Sequence, residues 1–265
     1  LGKIKLSVNL QTLIYRPNTM IRVQDFFKDY NAVKTPYEAD ESFVKGVIQA
    51  SKAHVRASGN GIYIFDYSKR KVVYVSPNIA TWCNIQPPHN HTTDYNWYLK
   101  NISEKDLQML IEINQKAFEF WQGMSDDECE NYVVSYDFMF GEAMVNQRYT
   151  PILVKDGNII LAMCEVSPSQ SKASGNIIMR RTDSKYEYVY SVEHKKWLKV
   201  AQLCLTPKEK EIIRSTIKGL SSAAIAEING KSENTIKTQK RNLCRKLGVS
   251  SMPEAITVAM NNGLL

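Results

Sequence analysis

The chain has no long apolar run: across 265 residues the longest unbroken hydrophobic stretch is Ile159–Cys164. A membrane-crossing helix needs about 20 such residues, so no span and no membrane partner is expected. Cysteine is sparse as well. Cys83, Cys129, Cys164, Cys204 and Cys244 are scattered, odd in number, and contain no CxxC pair. That spacing argues against a disulfide framework or structural zinc, and for buried free thiols in a reducing compartment. The opening residues show no charged-then-apolar leader pattern and no initiator Met, which reads as a cytoplasmic chain numbered after processing or a tag. Catalytic constellations are missing too. There is no Gly-rich phosphate loop, no Ser-His-Asp set and no paired carboxylates. His89, Asn90, His91 and Asp94 superficially resemble a metal cluster, but the ββα setting and a further distant His are absent, so they read as a polar loop. No catalytic residue, metal site or cofactor is expected, and the chain is not read as an enzyme.

Positive charge is present, and it is uneven. Leu205–Leu265 carries ten Lys and Arg against five Asp and Glu; the preceding 204 residues carry 24 against 22. The final quarter therefore holds +5 of the total +7. A basic segment of that kind is the electrostatic footprint of a nucleic-acid-binding unit.

Within it, two helical patterns flank a short turn. Ser232 suits an N-cap, Glu233 sits near the positive end of the helix dipole, and ENTIKTQKRNLCRKL runs on to a stop at Gly248. Ile236, Leu243 and Leu247 form one apolar stripe. Asn234, Lys237, Thr238, Arg241 and Arg245 share another face, with Lys240 and Lys246 at its flanks. A bare basic helix is usually only a solvated face. Here a supporting helix precedes it: Ser221 or Ser222 caps a segment with Ala224, Ile225 and Ile228 expected inward, and Asn229-Gly230 turns the chain. Thr206, Pro207 and Glu209 open a helix before that, in cap, first and third positions.

Several spaced matches in one register carry a resemblance. They are Leu205-Thr206-Pro207-Lys208-Glu209, Gly219-Leu220-Ser221, Ile225-Ala226, Thr235-Ile236-Lys237-Thr238 and Arg245-Lys246-Leu247-Gly248-Val249, then Glu254-Ala255 and Asn262-Gly263-Leu264. Together they resemble the LuxR/FixJ-type (GerE) helix-turn-helix domain of bacterial transcription regulators. One departure is Gln239, where the family usually carries His. The resemblance implies double-stranded DNA as partner, with Lys237, Thr238 and Arg241 reading base edges and Lys240, Arg245 and Lys246 holding phosphates. It also implies a homodimer through a last helix, Pro253 to about Asn261, that exposes Ala255, Ile256, Val258 and Ala259.

Upstream, MIRVQDFFKDY and ESFVKGVIQASKAHVRAS show helical spacing. GIYIFDY and KVVYVSP then read as a β-hairpin, Ser103–Trp121 as a helix, and NYVVSYDFMF, RYTPILVK and NIILAMCEV as three strands, the last two joined at Asp156-Gly157. This order resembles a PAS domain over about Ser58–Ser167. The resemblance implies a cavity that binds a small-molecule effector or a surface that pairs with a protein, and Tyr63, Phe65, Tyr74, Trp82 and Trp97 are its candidate lining. Cys83 lies in TWCNIQPPHN, unlike the cysteine motif of light sensors, and no His is placed to hold haem. Nor does the region show the acidic pair of a phosphorylated receiver. Residues 168–204 read as a linker with a β-hairpin carrying Tyr186, Tyr188, Tyr190 and Trp197.

The expected class is α+β. A helical extension (1–57) precedes a PAS-like antiparallel sheet with flanking helices (58–167), a linker (168–204) and an all-α four-helix DNA-binding domain (205–265). The implied function is a one-component, sequence-specific transcription regulator. The alternative is a response-regulator-like protein controlled by a partner through the PAS-like part, with no small-molecule ligand.

Overall fold

The computed structural model describes residues 23–27 and 37–265. Most of the helix expected over MIRVQDFFKDY lies outside them; α1 is Val23–Phe26. Helix α2 (Glu41–Ser58) starts where the Asp40 carboxylate accepts the Ser42 and Phe43 N–H groups, and stops at left-handed Gly59. Then come β1 (Gly61–Asp66), β2 (Lys71–Val75), α3 (Pro77–Cys83), β3 (Thr93–Asp94), α4 (Tyr95–Lys100), α5 (Glu104–Trp121) and α6 (Asp126–Glu130). Strands β4 (Tyr132–Phe140), β5 (Ala143–Lys155) and β6 (Asn158–Pro168) follow, then β7 (Gly175–Arg181), β8 (Tyr186–Ser191) and β9 (Lys196–Ala201).

The nine strands among the described residues form one antiparallel sheet in the order β3-β2-β1-β6-β5-β4-β7-β8-β9. Its centre is a hairpin, a helical crossing and a three-stranded meander whose last strand, β6, returns beside β1. That is the PAS-like order expected from the sequence. Alternation along β1 divides the two faces. Tyr63 and Phe65 join the core formed with α3, α4 and α5, while Ile62 and Ile64 face α2 with Val44, Val47 and Ile48. The turn after β4 needs glycine: Gly141 has φ 57°, and a Cβ there would lie 2.1 Å from the Cys83 carbonyl oxygen.

Residues 175–201 are less of a linker than the sequence indicated, because β7 pairs with β4 and carries the sheet onward into β8 and β9. Side chains anchor this extension to α5. The Tyr190 hydroxyl donates to Glu112 at 2.6 Å, and the Trp197 indole N–H donates to the Lys116 carbonyl at 3.0 Å. Of the five thiols, Cys204 is exposed and the others are buried. Among the described residues no helix is long and apolar enough to cross a membrane.

The chain ends in four helices: α7 (Pro207–Ile217), α8 (Ser222–Ile228), α9 (Glu233–Leu247) and α10 (Met252–Asn261). Ile212, Ile213, Leu243, Leu247, Ala255, Ala259 and Leu264 form most of their shared core.

Candidate nucleic-acid interface

Capping sets the helix starts. Thr206 accepts the Glu209 N–H at 3.2 Å while the Glu209 carboxylate accepts the Thr206 N–H at 2.7 Å, a reciprocal box with Pro207 at the first turn. Ser221 caps α8 and Ser232 caps α9, each accepting a backbone N–H at 3.1 Å. Gly248 ends α9 at φ 71°, a conformation that costs other residues backbone strain.

Packing then fixes α9 against its support. Ile236 from α9 meets Ile225 and Ala226 from α8 in a small separate cluster. Ile228, expected inward, is 65% exposed; α8 ends there, and Ala226 takes the inward position instead. Leu243 and Leu247 anchor the far end of α9 in the four-helix core. With those three apolar residues turned in, Asn234, Lys237, Thr238, Arg241 and Arg245 are exposed together, and Lys240 is half-buried. The basic face is therefore held by a two-point apolar anchor and presented to solvent.

Two of its cations have carboxylate partners. Lys237 meets Glu233 one turn back at 2.8 Å. Lys246 meets Glu209 at 2.7 Å, with side chains 32% and 25% exposed, and so ties α9 to the cap of α7. Burial by itself raises the Glu209 carboxyl, but the Lys246 ammonium and the Thr206 groups outweigh it and hold it below the usual carboxylate range. A phosphate role for Lys246 would compete with this pair.

The last helix corrects another expectation. Ala255 and Ala259 are 0% exposed in the four-helix core, because their small side chains let α10 approach α7 and α9 closely. They cannot touch a second copy as the module stands. Ile256 and Val258 are half-buried, and Met260 is exposed.

The five aromatics proposed to line one pocket do not share one. Tyr63, Phe65 and Trp97 pack in the α4–α5 core with Tyr98 and Phe140. Tyr74 lies on the opposite face, and with Trp82, Lys52, Arg56 and His91 it lines a surface cavity. The sheet core contains a polar cluster that the sequence reading missed. The Tyr63 hydroxyl donates to the Gln147 side-chain Oε1, and the Gln147 side-chain Nε2 donates to the Tyr136 hydroxyl. Beside them the buried Trp121 N–H makes no hydrogen bond, and the Tyr149 hydroxyl faces that of Tyr67. The available signal was alternation in β5, where Val145, Gln147 and Tyr149 take the inward positions and Gln147 is polar among them. Among the described residues no group of three His, Cys, Asp or Glu is placed to hold a metal.

Two capped helices, a glycine turn and a third helix with a solvent-facing basic side define a helix-turn-helix module, here fused to a PAS-like sheet. The family comparison agrees: residues 203–259 match the model of the GerE family, bacterial regulatory proteins of the luxR family. Over 61 residues the chain is 44% identical to the transcriptional regulatory protein YdfI of Bacillus subtilis, covering 23% of this chain and 29% of that one. It is 34% identical over 61 residues to the transcriptional regulatory protein MctR of Rhizobium johnstonii, covering 23% and 28%. The chain thus spans well under half the length of these curated relatives. Among solved structures it is similar to a phage VqmA–DPO complex at 14% identity and TM-score 0.33, covering 86% and 92% of the two chains. The Vibrio cholera VqmA–ligand–DNA complex is similar at 14% identity and TM-score 0.28, covering 86% and 91%.

Proposed function

We propose that the chain is a dimeric, sequence-specific transcription regulator whose PAS-like sheet domain senses a small molecule. The exposed cationic face of α9, braced through Ile236 and Leu243, carries this reading. Lys237, Thr238 and Arg241 read base edges in the major groove: an Arg fork suits guanine and a Thr methyl suits thymine. Lys240 and Arg245 hold phosphates and set the register. Lys246 reaches phosphate only by giving up Glu209. The dimer contact uses Ile256 and Met260, one turn apart on α10, in place of the buried alanines. Residues 58–167 form the sensing part, 168–204 extend its sheet and lead into the DNA-binding domain of residues 205–265.

The effector site is the polar cluster inside the sheet core, where the Trp121 N–H has hydrogen-bonding capacity unused. A buried polar group without a partner costs about 1–3 kcal/mol, and a ligand that pairs it recovers that.

Selection of bound duplexes from a random pool, followed by gel shift with the full chain, tests DNA reading. Enrichment of a two-fold-symmetric motif supports it, and enrichment of nothing overturns it. Native mass spectrometry tests sensing: an extra mass lost on denaturation supports an effector, and a clean apo mass favours control by a partner protein.

A further inference from the structure

We propose that the cavity between α2 and α3, on the α2 side of the sheet, is a small-molecule site separate from the sheet core. Its ligand is an aromatic ring bearing an anionic oxygen group, a carboxylate or a phosphate. The cavity measures about 600 Å³, inside the range of about 300–1,000 Å³ common for ligand sites. Its walls come from the second half of α2, Tyr74 on β2, the residues of α3 and His91. The sheet itself divides it from the core: Tyr74 lies with Ile62 and Ile64 on the α2 side, whereas Tyr63 and Phe65 pack with α4 and α5.

Charge of one sign stands uncommitted there. Lys52 and Arg56 are one turn apart on α2, exposed, and both line the cavity. Earlier on the same helix Lys45 pairs with Glu41, but neither Lys52 nor Arg56 has a carboxylate partner among the described residues. No Asp or Glu lines the cavity. The Lys52 ammonium stands 6.0 Å from the Tyr74 ring centre, a contact with the ring that leaves its N–H donors open. Burial raises the Tyr74 hydroxyl, and the nearby Arg56 guanidinium opposes that shift. Asn78 is already used: it donates to the Gly59 carbonyl at 2.9 Å and accepts from the Ser76 hydroxyl at 2.7 Å. That leaves two cations, donors only, facing a space without an acid. An oxyanion suits them, the Arg fork taking two oxygens and the Lys acting as a point charge.

Rings account for the rest of the lining. Tyr74, 3% exposed, forms the floor, with the half-buried Trp82 beside it and the His91 ring 6.4 Å away. An aliphatic anion would use the cations and leave these apolar faces wet. A neutral ring would cover the faces and gain nothing from Lys52 and Arg56.

Isothermal titration calorimetry of the full chain tests the site. Indole-3-acetate and adenosine monophosphate are the ring-bearing anions; acetate and inorganic phosphate are their ringless counterparts. At least one ring-bearing anion should bind, and its ringless counterpart should bind about tenfold or more weakly. The double variant Lys52→Gln/Arg56→Gln should weaken the bound probe about tenfold or more, the weight of one charge-assisted hydrogen bond. Both positions are exposed and Gln keeps helix propensity, so the fold should persist. Lys45→Gln removes a cation from the same helix outside the cavity and should leave binding unchanged. Tighter binding of the monophosphate assigns a phosphate ligand, and tighter binding of indole-3-acetate a carboxylate. If neither ring-bearing anion binds, the proposal fails. Unchanged affinity in the double variant puts the probe elsewhere, the sheet core included, and overturns it. An equal loss in Lys45→Gln, or equal binding of the ringless anions, reduces the site to general surface charge and overturns it as well.

Discussion

Arg180 on β7 donates from Nη1 to the Oδ1 of Asn262, at the end of α10, at 2.8 Å. The same guanidinium donates from Nε to Glu187 on β8 at 2.7 Å. One side chain thus neutralises a carboxylate inside the sheet extension and bonds the DNA-binding module. The two roles separate by substitution.

Removing Arg180 strands Glu187, only 7% exposed, without its partner. Breaking a buried pair from one side costs about 3–5 kcal/mol. Asn262→Ala loses one hydrogen bond and should cost about 0.5–1.5 kcal/mol. Urea unfolding of Arg180→Ala and Asn262→Ala compares them, and equal losses would show that the Glu187 pair contributes little.

Ile236 is 1% exposed and joins α9 to α8. Its replacement by Ala should cost about 2–5 kcal/mol. The loss should fall on the four-helix module. DNA binding should disappear while the aromatic core of the sheet keeps its near-ultraviolet dichroism; loss of that signal as well would mean the two modules unfold as one.

Arg241→Ala should weaken binding to a selected operator by about 1–3 kcal/mol and relax base preference. Arg245→Ala should weaken all sequences alike and lower the salt slope by about 1. Fluorescence anisotropy across a salt series measures both. Unchanged binding in both variants would mean the contact face of α9 is assigned wrongly.

Glu209 titrates below its ordinary range because Lys246 and Thr206 favour its anion over the opposing effect of burial. Its folded pKa is thus below the ordinary, unfolded value of 4.5. The stabilisation is fully present above that value and is lost as pH falls through the lower folded one. The pair is surface-exposed, so the gain is under about 1 kcal/mol. Lys246→Ala should make stability between pH 3 and 5 (roughly) less pH-dependent, as followed by thermal unfolding. A variant as acid-sensitive as the parent would remove Lys246 from the account.

Local signals were readable wherever a residue acts on its own chain neighbourhood. Thr206, Ser221 and Ser232 cap helices because a hydroxyl reaches an N–H only three residues away. Asp156-Gly157, with φ 52° and 71°, turns a hairpin for the same local reason. Ile236, Leu243 and Leu247 turned inward as their spacing required, which left the basic side outward. Burial at the ends of short elements was less readable. Ile228 is outward because α8 stops beneath it, and Ala255 and Ala259 are inward because a small residue suits a close helix crossing as well as it suits a contact between copies.

The sequence by itself determined that the chain ends in a capped, basic helix-turn-helix module behind a PAS-like series of strands, since caps, turns and hydrophobic period act over a few residues. Only the tertiary structure decided that β7–β9 extend the sheet, that Lys246 is tied to Glu209, and that the five aromatics divide between two faces. It also decided that Asp137, Asn146 and Arg180 face α10 across a common cavity. Those pairings join residues tens of positions apart, and strand register and module packing, not sequence spacing, set which side chains meet.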